Sequence, residues 1–86
     1  MSPTATAVEV LPGYRLAIGF ADGTSGVVDC APWLYERDAD LLVQLRDPAR
    51  FAEVRINPEL GFIEWPNGMD VCPDLLYEEA HRTSVG

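Results

Sequence analysis

Between Ile63 and Pro73 the chain places a large aromatic, two prolines, an Asn-Gly pair and two acids within eleven residues. Pro66 cannot donate to a β-ladder, so it ends a strand running through Phe62-Ile63-Glu64-Trp65. Pro66-Asn67-Gly68 then turns the chain. Pro73 is preset for the first position of a helix, with Asp74 suited to the dipole of its first turn. A strand end, a sharp turn and a helix start must follow one another closely. The segment constrains architecture and offers little chemistry.

The first thirty residues carry the period of two expected of half-buried strands. Tyr14, Leu16, Ile18 and Phe20 share one face, with Arg15, Ala17 and Gly19 opposite. Val8-Glu9-Val10-Leu11 precedes them as a short strand, joined through Pro12-Gly13. That pair favours a type II turn, which fits a tight hairpin poorly, so a bulge or a longer connection is expected. Asp22-Gly23 is the strongest hairpin signal and folds Thr24–Cys30 back antiparallel. These segments form a three-stranded meander.

Beyond Cys30 the signals are helical. Pro32-Trp33-Leu34-Tyr35 opens a turn of helix. Asp38 or Asp40 is expected to cap a short helix holding Leu41, Leu42 and Leu45. Asp47-Pro48 repeats the start signal, and Phe51 anchors that turn to the core. Glu53-Val54-Arg55-Ile56 and Phe62-Ile63-Glu64-Trp65 read as a second hairpin around Asn57–Gly61. Leu75, Leu76 and Ala80 supply an apolar stripe on the last helix. The fold class is α+β: an N-terminal three-stranded antiparallel meander plus a second β-hairpin, with short helices packed on one face. At 86 residues it is expected to be a single domain, ordered over about residues 5–80, with the leader to Thr4 and the segment from Arg82 frayed.

All six basic residues are arginines, against fourteen acids, for a net charge of -8. Such a field repels phosphate backbones, so no direct nucleic-acid binding is expected. It suits solubility and attracts basic proteins. No run reaches the ~20 apolar residues of a membrane span, and the N-terminus lacks the pattern of a secretory leader. The expected location is cytoplasmic. Cys30 and Cys72 lie outside any C-x-x-C pattern and read as small buried apolar residues.

Chemistry-bearing constellations are sparse. Glu64, Asp70 and Asp29 are the acids nearest the block, and two of them brought close could work as acid and base or hold a metal. The structural reading is favoured: Asp70 accepts backbone N–H bonds in the turn or caps the following helix, and Glu64 pairs with an arginine across the sheet. Trp65 alternates with Ile63 and belongs in the core with its indole N–H bonded to backbone. Trp33 and Tyr35 are the better interface candidates. Asp74, Glu78 and His81 share one helix face, read as solvated rather than metal-binding. No nucleophile–base pair, phosphate loop, metal set or cofactor site emerges.

Tyr14-Arg15-Leu16, Phe20-Ala21-Asp22-Gly23, Val28-Asp29, Leu45-Arg46-Asp47-Pro48, Phe51, Val54 and Leu75-Leu76-Tyr77-Glu78 accompany the block Glu64-Trp65-Pro66-Asn67-Gly68-x-Asp70. Together they resemble DUF2442, a bacterial family of unknown function, over nearly the whole chain. The resemblance implies a small protein, free-standing or followed by a helix-turn-helix DNA-binding domain, with an association to toxin–antitoxin-like pairs. This chain, ending after one helix, is expected to lack such a module. The block Glu64, Trp65, Pro66, Asn67, Gly68 and Asp70 is read as a structural signature. The function expected first is a non-enzymatic protein-interaction domain, antitoxin-like, with a small basic protein as partner. The alternative is an accessory or dimerisation domain of a DNA-linked regulator. An enzyme using Glu64 and Asp70 comes third. Exposed strand edges would also allow a homodimer.

Overall fold

A computed structural model describes residues 3–36 and 38–83, the side chains of Arg82 and Thr83 excepted. The N-terminal meander forms as the alternation requires: β1 (Ala5–Leu11), β2 (Arg15–Phe20) and β3 (Ser25–Asp29) make an antiparallel sheet in the order β1-β2-β3. Leu16 faces Val10 and Val28, and Ile18 faces Val8 and Gly26 across the ladders. One face of the sheet is therefore apolar, and Leu16, Ile18, Phe20 and Val28 are buried.

The β1–β2 link is the longer connection that Pro12-Gly13 implied. It has three residues, with Leu11 opposite Arg15. Gly13 and Tyr14 both take positive φ, 79° and 61°. An aromatic residue in that region is strained, and Tyr14 is held there by its surroundings. Its hydroxyl donates to the Arg46 carbonyl, and its ring meets Phe51 edge-on at 5.4 Å. The Asp22-Gly23 turn closes with Phe20 N–H donating to Thr24 O at 2.9 Å, and Gly23 has φ 87°.

Three short helices follow: α1 (Ala31–Tyr35), α2 (Asp40–Leu45) and α3 (Pro48–Phe51). Asp47 caps α3 by accepting from Ala49 N–H at 3.0 Å, with Pro48 behind it. Neither Asp38 nor Asp40 caps α2. The capping position is Ala39, which has no side-chain acceptor; Asp40 sits in the first turn and Asp38 pairs with Arg46 at 3.0 Å. Leu34, Leu42, Leu45 and Phe51 enter the core from these helices.

The second hairpin has an unexpected third strand. β4 (Arg55–Ile56), β5 (Ile63–Glu64) and β6 (Asp70–Val71) form an antiparallel sheet in the order β4-β5-β6. Two-residue strands carry no periodic signal, so β6 was hidden inside the turn-to-helix segment. Ala5 N–H donates to Gly61 O at 2.9 Å and ties the second sheet's loop to β1. Thr4 is also fixed, accepting from Ala21 N–H at 2.9 Å. Met1 and Ser2, the start of the leader expected to fray, lie outside the described residues, as do residues 84–86.

Helix α4 (Pro73–Thr83) lies against the first sheet. A side chain at Gly26 would collide with the Ala80 backbone, so the helix approaches β3 closely there. Its buried residues are Leu76 and Ala80, whereas Leu75 is 40% exposed and leaves the expected stripe. The helical backbone continues through Arg82 and Thr83. Among the described residues no helix is long and apolar enough to cross a membrane.

Candidate interaction surface

The turn from Trp65 to Met69 is closed twice by backbone: Trp65 N–H donates to Met69 O at 2.8 Å, and Gly68 N–H to Trp65 O at 3.0 Å. Gly68 has φ 94°, a conformation glycine adopts without strain. Asn67 Oδ1 accepts from Met69 N–H at 3.0 Å, while its Nδ2 donates to Leu41 O and Gln44 Oε1 at 3.2 and 3.1 Å. The turn is thereby stapled to α2. Trp65 is 4% exposed and its indole N–H donates to Phe51 O at 2.9 Å.

Glu64 sits opposite Arg55 on β4 and accepts from its Nε and terminal nitrogen at 3.2 and 3.0 Å. Asn57 Nδ2 adds a third bond at 3.4 Å. On its other side Glu64 faces Asp70 of β6. The two acids are thus neighbours, with Glu64 engaged and Asp70 exposed. Asp70 neither closes the turn nor caps α4. Asn67 has the turn role, because its amide reaches Met69 N–H, while Asp70 points out of a short strand. Pro66 is exposed at the tip.

The two interface candidates diverge, because residues two apart on a helix face different ways. Tyr35 is 58% exposed, with the Arg46 guanidinium 4.5 Å from its ring centroid. That guanidinium also donates to Leu34 O at 2.7 Å. Trp33 is half-buried and lines an open groove with Leu42, Met69, Val71 and Leu75; Glu36 and Asp70 are its charged lining residues. Four elements or their flanks contribute. Of its lining residues the sequence marks Trp33 and Asp70, but no local pattern shows that they meet across a groove.

Midway along α4, the Tyr77 hydroxyl donates to Asp22 Oδ2 at 2.9 Å. Asp22 Oδ1 accepts from Thr24 N–H and hydroxyl at 2.9 and 2.6 Å. The Thr24 hydroxyl, before the other donors, holds the Asp22 carboxyl below its ordinary value, and the same Asp22 bond raises the Tyr77 phenol. His81 is not on a solvated face: it is half-buried, 4.0 Å centroid to centroid from Tyr77 and 5.8 Å from Phe20. Among the described residues no group of three His, Cys, Asp or Glu could hold a metal ion. Cys30 is buried, and desolvation, aided by Asp29, pushes its thiol up to about 12. Cys72 is exposed, contrary to expectation. Val71 faces the core, so its neighbour faces out.

No curated protein matches the chain. A similar crystal structure is that of a Nitrosomonas europaea ATCC 19718 protein provisionally described as DNA-binding: 32% identity, TM-score 0.80, covering 95% of this chain and 51% of that one. This chain therefore spans about half the length of that relative. Its description corrects the expectation of no direct nucleic-acid binding. Net charge is a sum over the whole chain and does not determine what a local surface or an attached segment contacts. The DUF2442 family model, "Protein of unknown function", matches residues 5–82, and the chain belongs to that family.

Proposed function

We propose that this chain is an accessory module of a DNA-linked regulator, making the protein contacts that assemble or regulate the DNA-bound form. The observation that carries it is the match of 95% of the chain to about half of a protein provisionally described as DNA-binding. The groove beside Trp33 gives such a module a surface for protein contact. We take the module to be non-catalytic, since Glu64 is engaged by Arg55 and Asn57. We place it in the cytoplasm, where two free thiols fit a reducing environment. An antitoxin-like role has no observation in its favour.

The test is cross-linking in the native cell with an epitope-tagged chain, followed by sequencing of the recovered DNA. Enrichment at discrete sites is expected. Recovery no higher than from an untagged strain would overturn the reading. Gel shifts with the purified chain, alone and with its co-purifying proteins, then separate direct from carried contact.

A further inference from the structure

We propose that the groove lined by Trp33, Leu42, Met69, Val71 and Leu75 docks an amphipathic helical segment whose apolar face is flanked by Arg or Lys. The walls are apolar, and among the described residues the charged groups lining the groove are both acids, Glu36 and Asp70. Neither carboxylate has a side-chain partner among the described residues. Nearby, Glu64 already has Arg55, so that arginine does not neutralise Asp70. An apolar segment without charges would leave both acids uncompensated, and an acidic one would be repelled. A basic segment satisfies both and suits the net charge of -8.

Leu75 points to the same surface. It sits one residue from buried Leu76, off the face that packs on the first sheet, and its 40% exposure is turned into the groove. With α1, α2, β6 and α4 supplying the walls, the groove can take a few apolar anchors from one face of a helix while charges close the rim. Met69, unbranched and adaptable, suits such a surface. That the segment comes from the basic DNA-binding portion of a regulator rests on the function proposed above; the groove chemistry does not.

The probe is a synthetic leucine–lysine helix of roughly four turns, with a leucine–glutamate counterpart and a DNA duplex as competitors. Fluorescence anisotropy should show saturable binding of the lysine peptide, and NMR should show the Trp33 indole and Met69 methyl signals moving with it. The double variant Glu36→Gln/Asp70→Asn should weaken binding about tenfold, from the loss of two rim charges. Leu75→Lys, at a half-exposed position, should weaken it while leaving stability unchanged. Equal binding of the glutamate peptide, unmoved Trp33 and Met69 signals, displacement by the duplex, or the same shifts from self-association would each overturn the proposal. Cross-linking that recovers DNA while the peptide fails to bind would leave the regulator reading standing and remove the groove alone.

Discussion

At the scale of single residues, Trp65 and Tyr14 show how one polar atom on an aromatic ring fixes a core. The Trp65 indole serves the Phe51 carbonyl at the end of α3, so that turn and the signature block are held in one geometry. Trp65→Phe keeps most of the apolar area but leaves that carbonyl unpaired. It should cost about 1–3 kcal/mol, and Trp65→Ala about 3–5 kcal/mol, both measurable by urea unfolding. The cysteines differ in the same local way. A thiol reagent at neutral pH should modify Cys72 promptly and Cys30 only as the protein unfolds, because Cys30 is buried with its thiol pushed up to about 12. Equal rates for the two thiols in the native protein would contradict the packing around Cys30. Trp65's burial was legible from its alternation with Ile63, while the strain at Tyr14 was not, because nothing in sequence marks a tyrosine held at positive φ.

Elements are joined by a handful of side chains whose partners lie far off in sequence. Asn67 staples the β5–β6 turn to α2, so Asn67→Ala removes the turn bond and both bonds to the helix. A loss of about 1–3 kcal/mol is expected in chemical denaturation. Gly26→Ala would push α4 from β3 and should also cost about 1–3 kcal/mol. The Tyr77–Asp22 bond ties α4 to the β2–β3 turn. The Asp22 carboxyl is held below the ordinary 3.8 in the folded chain. Its contribution to stability is therefore complete above that value and is lost as pH falls through the lower, folded value. Stability measured against pH should fall more gently below 3.8 in Asp22→Asn than in the parent chain. A parallel fall in both would show that the bonds to the Asp22 carboxylate, those from Thr24 first and that from Tyr77 with them, contribute nothing. Helix starts such as Asp47-Pro48 could be read directly, since cap and proline are adjacent in sequence; the α2 start could not, because Asp38 is drawn off to Arg46, eight residues on.

Over the whole molecule, two small sheets share one core, with Phe51, Ile63 and Trp65 buried alongside Leu16, Ile18 and Leu76. Neither sheet closes a core by itself, and the Ala5–Gly61 bond links them. Tryptophan fluorescence and far-ultraviolet circular dichroism should therefore report one coincident transition. Two separated midpoints would show that the sheets unfold independently. The sequence by itself determined the meander, the second hairpin and the sharp turn before α4, because alternation and turn chemistry act over a few neighbouring residues. Only the tertiary structure decided that β6 pairs, that Glu64 and Asp70 are neighbours, that Trp33 and Tyr35 part company, and that an acid-lined groove exists. Each of those depends on side chains from separate elements meeting in space, and no local pattern encodes such a meeting.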